Sequence, residues 1–307
     1  MRHTTLRTAI ALAVFTATAA YAAEATFDKT LSVSPNPEVT ISTGSGYIHV
    51  SPGSDSQLHV IGHVHANRGW FDNNSNMDAQ VKEVAANPPI HQNGNSIKIG
   101  EESHGFENLY RNISIDYDIT LPKASTLKAG TGSGDMQIHD LDSGVSASSG
   151  SGDIKVQNIG ANSKLETGSG SIDANGVRGA VYLETGSGDI RVQQTAAGDV
   201  KAQTGSGSIR ANGVAGGLKA GTGSGNIEIN GQPTSDWKLD TGSGSIHLGL
   251  GSGAKFTLNA ETGSGTVHVD QPISMQGDLN KHHIRGVVNG GGPTIHAETG
   301  SGNITIK

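Results

Sequence analysis

The sequence has no cysteine among its 307 residues, which excludes a disulfide framework and any metal site built on thiolates. Aromatic residues make up only 4% of the chain, so a thin core of stacked aliphatic side chains is expected. Basic residues are also in deficit: 21 Lys and Arg stand against 28 Asp and Glu, giving a formal net charge of −7. An acidic chain with few aromatics argues against nucleic acid as a partner.

Long hydrophobic runs are missing as well, apart from one N-terminal stretch. Arg2 and Arg7 precede an apolar or small run from Thr8 to Ala20, which is shorter than the ~20 residues of a membrane-spanning helix. Ala20-Tyr21-Ala22 fits the small-x-small cleavage rule. We therefore predict a signal peptide over residues 1–22 and export to the periplasm, the cell surface or the medium, with no transmembrane helix left after cleavage.

Glycine is abundant, with 45 residues, and much of it lies in a repeated tetrapeptide, Thr-Gly-Ser-Gly. The copies, one of which begins with Ser, start at Thr43, Thr131, Ser149, Thr167, Thr185, Thr204, Thr222, Thr241, Thr262 and Thr299. From Thr131 onward the steps are 18, 18, 18, 19, 18, 19, 21 and 37 residues, the last being about two units long. A fixed period in this range is typical of a repeat architecture.

Apolar residues flank each tetrapeptide at fixed offsets, four and two before the Thr and five and seven after it. Period-2 alternation on both sides of a glycine corner predicts two short strands per unit. The offsets change from even to odd across the tetrapeptide, so the chain must bend there, and the Thr side chain should point inward. Stacked units of this kind predict an all-β, single-stranded parallel β-solenoid with coils of ~18 residues.

The repeat divides the chain into three predicted parts. Residues 1–22 are the signal peptide, and residues 23–125 form a β-rich lead-in and cap region with a short helix from Met77 to Ala86. Residues 126–307 form the solenoid, with an irregular segment at 271–293. Because nothing follows Lys307, we expect the last strand to present an open edge.

The motif Thr-Gly-Ser-Gly-[Asp/Ser/Asn]-Ile recurs after a signal-like N-terminus, and the chain closes on Val-Asn-Gly-Gly-Gly-Pro-Thr-Ile-His-Ala-Glu-Thr-Gly-Ser-Gly-Asn-Ile. Over most of residues 25–307 this pattern resembles the bacterial "putative adhesin" family of β-strand repeats, a domain of unknown function related to the head-GIN domains. The resemblance implies attachment to surfaces or to partners in the cell envelope. It supplies no catalytic residues.

A column of acids just before the Thr supplies the strongest candidates for catalytic residues. It contains Glu166, Glu184, Asp240, Glu261 and Glu298. Stacked carboxylates ~5 Å apart could form a retaining glycosidase pair. Lysines two residues away on the same face favour charge compensation on a solvated face instead: Lys164, Lys201, Lys219 and Lys238. We therefore assign no catalytic residue and expect no enzymatic activity.

Two sets of positions are candidates for metal sites. The residue after the tetrapeptide could serve a calcium roll, yet only Asp135, Asp153 and Asp189 are acidic there, and Ca²⁺ needs several oxygen ligands. Histidines are weak candidates for zinc or copper: His59, His63, His65, His247, His268, His282 and His283. His247 and His268 are expected to face outward on successive coils. No cofactor is assigned.

The first functional hypothesis is an exported, non-catalytic solenoid that serves as a rigid binding or spacer module for a protein or polysaccharide of the envelope. One alternative is a polysaccharide-binding or polysaccharide-degrading protein that uses residues 271–293 with Tyr182 and Trp237. Another is metal handling through the histidines.

Overall fold

The computed structural model describes residues 24–67, 75–100, 112–160, 162–275 and 280–307; the predicted signal peptide lies outside them. These residues form 27 strands and one helix. The N-terminal elements are β1 (Glu24–Ser32), β2 (Glu38–Thr43), β3 (Ile48–Pro52), β4 (Gln57–Ala66), α1 (Ser75–Ala86), β5 (Ile90–Asn93), β6 (Ser96–Gly100) and β7 (Ile113–Leu121). The described helix is not long and apolar enough to cross a membrane.

The repeat region continues the two-strand pattern from unit to unit. Its strands are β8 (Thr126–Thr131), β9 (Met136–Leu141), β10 (Val145–Ser149), β11 (Ile154–Ile159), β12 (Ser163–Thr167), β13 (Ile172–Arg178), β14 (Val181–Ser187), β15 (Ile190–Ala196), β16 (Val200–Ser206), β17 (Ile209–Val214), β18 (Leu218–Ser224), β19 (Ile227–Gly231), β20 (Trp237–Ser243) and β21 (Ile246–Leu250). The C-terminal strands are β22 (Phe256–Ser264), β23 (Val267–Val269), β24 (Ile273–Met275), β25 (His283–Val288), β26 (Thr294–Ser301) and β27 (Ile304–Ile306).

Two sheets run the length of the molecule. Sheet A has the strand order β1-β4-β7-β3-β9-β11-β13-β15-β17-β19-β21-β27-β23. Sheet B has the order β24-β25-β22-β26-β20-β18-β16-β14-β12-β10-β8-β2-β6-β5. Each repeat contributes one strand to sheet B and the next to sheet A, and the repeats pair in parallel, so the predicted parallel β-solenoid is confirmed.

The predicted columns stack on themselves between the sheets. Thr204 pairs in register with Thr222, and Ile209 with Ile227, so each inward residue meets its equivalent in the next coil. The isoleucine column is fully buried. A third buried column closes the core at the C-terminal ends of the sheet A strands: Leu141, Ile159, Val177 and Val214. Identical aliphatic layers therefore supply the burial that no single coil could achieve.

The N-terminal end adds antiparallel strands to this stack. β2 and β3 form a first coil directly against β8 and β9, so both sheets run from residues 24–125 into the repeats. Beyond it, β7 pairs in parallel with β3, and β4 and β1 then extend sheet A in antiparallel pairing. The helix agrees with its prediction: Met77, Val81 and Val84 form its buried face, and it packs against β1 and β4. Where one region ends and the next begins stays a prediction.

The C-terminal coil, formed by β26 and β27, has an unexpected position. It lies between the coil of β20 and β21 and the coil of β22 and β23, although it follows both in the chain. The expectation of an open edge after Lys307 was therefore wrong. Thr299 donates to the carbonyl of Gly244, and Thr262 donates to that of Gly302, both at 2.8 Å. The inserted coil thus makes the same Thr-to-glycine hydrogen bonds with the coils on both sides of it. At this end of sheet B, β25 and β24 follow β22 in antiparallel pairing.

Candidate functional site

The polar positions that recur in every repeat have structural roles. Each corner Thr is buried, and from Thr131 onward its hydroxyl donates to the second glycine carbonyl of a neighbouring tetrapeptide, as from Thr222 to Gly207 at 2.9 Å; Thr43 donates instead to the carbonyl of Ile115. The same bond is made by Thr131, Ser149, Thr167, Thr185, Thr204, Thr241, Thr262 and Thr299. The inward Thr and the structural ladder predicted from the sequence are confirmed.

The column considered for calcium has a similar role. Asp135 accepts the backbone N–H of Asp153 at 2.8 Å, and Asp153 accepts that of Ser171 at 2.8 Å. Ser208 and Asn226 make the equivalent bond to the next coil. Any side chain with a short acceptor oxygen serves this purpose, which explains why Asp, Ser and Asn alternate there.

A shallow groove of about 640 Å³ lies on the outer face of sheet B around Tyr182. Lys164, Lys201 and Lys219 contribute to its lining, and Asp199 is the acid among them. The Nζ atoms of Lys201 and Lys164 lie 4.5 and 5.6 Å from the centre of the Tyr182 ring, within the range of a cation–π contact. Asp199 is already engaged, since it accepts the N–H of Gly217 at 2.8 Å.

The acids beside the groove are also paired. Lys164 lies 2.9 Å from Glu166, and the Tyr182 hydroxyl donates a short hydrogen bond to Glu184. That bond, with burial and the charges of Glu184 and Glu166, raises the pKa of Tyr182 to about 12. Glu166 and Glu184 lie in register on adjacent strands, but each carboxylate is held by a neighbouring side chain. This arrangement agrees with charge compensation.

Trp237 does not contribute to a glycan site. Its side chain is 1% exposed, and its Nε1–H donates to the carbonyl of Gly216 at 2.8 Å. It occupies an inward column position, where Val200 and Leu218 stand in the preceding coils, and so it belongs to the core. The pairing of Tyr182 with Trp237 as one binding surface was therefore wrong, and only Tyr182 reaches solvent.

A second cluster lies on the outer face of sheet A at its N-terminal end. As predicted, His59, His63 and His65 share one face of β4. The structure pairs them with three different carboxylates: Asp28 at 2.8 Å, Asp118 at 3.2 Å and Asp116 at 3.1 Å. Residues two apart on a strand are ~6.8 Å apart, so the three imidazoles do not meet at one point. Metal binding by them stays a prediction.

Sequence reasoning did not single out Asp118, which joins the most contacts in this cluster. It lies 3.1 Å from His49 Nδ1 and accepts the hydroxyl of Tyr47 at 3.0 Å. Tyr47 stacks on His49, with ring centres 4.3 Å apart. Burial, reinforced by Asp118 and then Asp116, raises the pKa of Tyr47 to about 12. The alternation of Asp116 and Asp118 about the buried Tyr117 was the available signal.

The remaining histidine candidates are spread over both sheets. His247 and His268 are not on successive coils: Thr305 of the inserted coil pairs between them, so that expectation was wrong. His268 pairs with Asp270 at 2.6 Å. His282 and His283 lie at the end of sheet B, where His283 Nε2 is 3.1 Å from Oδ1 of Asn259. These four residues do not share a single site.

A family model described as Toastrack DUF4097 matches residues 36–307. None of the curated proteins matches the sequence. A solved structure described as a "putative adhesin" from Bacteroides fragilis has 15% identity, covers 74% of this chain and 97% of its own, and has a TM-score of 0.46. A "putative cell adhesion protein" from Clostridium sporogenes has 13% identity, coverages of 92% and 99%, and a TM-score of 0.28. A "putative lipid binding protein" from Parabacteroides distasonis has 13% identity, coverages of 92% and 97%, and a TM-score of 0.36. At these scores the three similarities carry no argument about function.

Proposed function

Because the chain belongs to the Toastrack DUF4097 family, a domain family of unknown function that accounts for the resemblance in its repeats, we propose a role defined by its surfaces rather than by chemistry. It is an exported, non-catalytic binding module of the cell envelope. Its ligand is an extended anionic polymer, most simply an acidic polysaccharide, held along the outer face of sheet B.

The observation that carries this proposal is a run of lysines in register. Lys201, Lys219 and Lys238 lie on three adjacent strands, ~4.8 Å apart along the solenoid axis. Like charges directly opposite one another destabilise a sheet, so Lys201 and Lys219, which have no acid two residues later on their strands, favour an external anion. Lys238 lies 3.6 Å from Asp240, but the matching position in the other two coils is Gln203 or Gly221.

The aromatic ring adds a second type of contact at the same place. Tyr182 pairs in register with Lys201, so a flat apolar surface lies next to the unneutralised charge. Sugar rings have apolar faces that can pack on an aromatic ring, while their acidic groups interact with neighbouring lysines. A ligand that repeats along its length matches a surface that repeats along the solenoid axis.

A non-catalytic role is supported by the way the carboxylates are used. A retaining glycosidase needs two carboxyl groups ~5 Å apart that reach the scissile bond. Glu166 and Glu184 have suitable spacing, but they are held by Lys164 and by the Tyr182 hydroxyl. The groove is therefore better suited to holding a polymer than to cleaving it.

Binding should be measured on arrays of acidic and neutral glycans and then by biolayer interferometry at increasing salt. Lys201→Gln with Lys219→Gln, and separately Tyr182→Ala, should weaken binding to acidic glycans at least tenfold. Lys155→Gln on sheet A removes an exposed lysine elsewhere and should leave affinity unchanged. A blank array, or equal affinity for all the variants, would refute the proposed ligand surface.

Export is tested separately from binding. The apolar run that ends at Ala20-Tyr21-Ala22 supports secretion, and fractionation of the native cell into cytoplasm, periplasm, surface and medium is the direct measurement. Recovery of the full-length chain in the cytoplasm would remove the envelope from the proposal while leaving the binding surface open to the glycan experiment.

A further inference from the structure

The insertion of the C-terminal coil creates a cluster that does not exist along the sequence. Asp240 on β20 pairs in register with Glu298 on β26, which pairs in register with Glu261 on β22. His296 stands two residues before Glu298 on the same outward face of sheet B. One ligand atom each from Asp240, His296 and Glu298 can be chosen so that all three lie within 4.8 Å of one another.

We propose that Asp240, His296 and Glu298 bind a Zn²⁺ ion on the outer face of sheet B. Zinc is commonly held by three protein ligands of the imidazole and carboxylate types, with water in the fourth position. Bond lengths of about 2.0–2.2 Å require the ligand atoms to approach within a few ångströms of one another, so small rotamer changes suffice here. All three side chains reach solvent, which gives the ion a path to the site.

Charge distribution supports a cation at this point in particular. Where a coil has a lysine two residues before the acid on the same strand, the lysine compensates it, as Lys164 does for Glu166 at 2.9 Å. On β26 the lysine position holds His296, and on β22 it holds Asn259. Three in-register carboxylates are therefore left with Lys238, 3.6 Å from Asp240, and with Arg285, which pairs opposite Asn259. A divalent ion would relieve their mutual repulsion.

Asn259 holds the imidazole in place. Its amide lies 3.1 Å from Nδ1 of His296 and 3.1 Å from Nε2 of His283. In the structure the amide nitrogen of Asn259 lies against Nδ1 of His296. With the amide turned end for end, its oxygen accepts a hydrogen bond from Nδ1–H of His296 and its nitrogen donates to Nε2 of His283, which leaves Nε2 of His296 as the ligand atom. Nε2 is the nitrogen that faces Glu298, at 3.5 Å. Such outer contacts fix the orientation and tautomer of a ligating histidine.

The test is calorimetric titration of the whole chain with ZnCl₂ near neutral pH, with CaCl₂ as a comparison. One zinc per chain is expected to bind at this site, and calcium much more weakly, because imidazole selects zinc. His296→Lys and Asp240→Gln install residues that already occupy the same columns in other coils, so both variants should fold. Each should weaken zinc binding at least tenfold, and Asn259→Ala by about 10- to 100-fold.

A matched control is His247→Lys. This histidine lies on the outer face of sheet A, where Lys155 holds the equivalent position five coils earlier, and zinc binding should be unchanged. Circular dichroism spectra of every variant serve as the control for folding. Absence of zinc binding to the parent chain overturns the proposal, and so does an affinity unaffected by His296→Lys, since the ion would then lie elsewhere. Glycan binding is measured with variants of other residues. A negative result in that experiment would therefore not bear on the zinc site.

Discussion

The second glycine of each tetrapeptide should be the least replaceable residue of the solenoid, and Gly225 is the best place to measure this. Its φ is +149°, a region that residues with a side chain rarely adopt. A Cβ atom there would lie 2.1 Å from the carbonyl oxygen of Gly207 and 2.6 Å from its carbon. Both contacts are to backbone, so no side-chain rotation can relieve them.

The cost of Gly225→Ala can be estimated from two terms. Forcing a non-glycine residue into such a conformation costs about 1–3 kcal/mol. Overpacking against a neighbour costs a further ~1–3 kcal/mol. The coil cannot simply move away, because the Gly225 N–H donates to Ser243 in the following coil at 2.9 Å. We therefore expect a loss of roughly 2–6 kcal/mol in the free energy of unfolding.

Gly221, four residues earlier in β18, is the matched control. It faces outward, its φ lies outside the left-handed region, and a Cβ atom would meet nothing closer than 4.0 Å. Gln203 and Asp240 occupy its column in the adjacent coils, so a side chain fits. Gly221→Ala should raise the free energy of unfolding by about 0.4–1 kcal/mol, because it restricts the unfolded chain.

Urea unfolding followed by circular dichroism measures both variants under one set of conditions. The midpoint should fall strongly for Gly225→Ala and stay level or rise for Gly221→Ala. If the two alanines shifted the midpoint equally, close backbone contact between coils could not be what makes the tetrapeptide glycine necessary. Thermal unfolding gives an independent check of the same difference.

Three further results are expected. Thr222→Val should cost about 1 kcal/mol by deleting one buried hydroxyl bond, while Thr305→Val on the outer face should change the urea midpoint little. Spectrophotometric titration should show that Tyr47 and Tyr182 ionise with pKa values of about 12. Because both pKa values are raised from 10.0, the contribution of the two protonated tyrosines to the free energy of unfolding is complete below pH 10 and is lost as the pH rises towards 12. Deleting residues 294–307 should speed hydrogen exchange in β20 to β23, and slow exchange retained there would contradict the insertion of the last coil.

The sequence predicted the solenoid because every unit repeats the same pattern of apolar and polar residues. Alternation on both sides of Thr-Gly-Ser-Gly defines two strands, and the change of parity places Thr131 and its equivalents inside the core. The Asp, Ser and Asn column could be located in the same way, but its bonds to the next coil required the register of neighbouring backbones. The same offsets place Trp237, four residues before Thr241, in the core and Tyr182, three residues before Thr185, on the outer face, so grouping the two as one binding surface disagreed with the pattern itself.

Only the tertiary structure decided the order of the last coils. Thr262 and Thr299 carry the same motif, and either coil could stack on that of Thr241 with the same ladder of bonds. A repeat with nearly identical units specifies that coils stack, but it does not specify which ones become neighbours. That choice brings Asp240 beside Glu298.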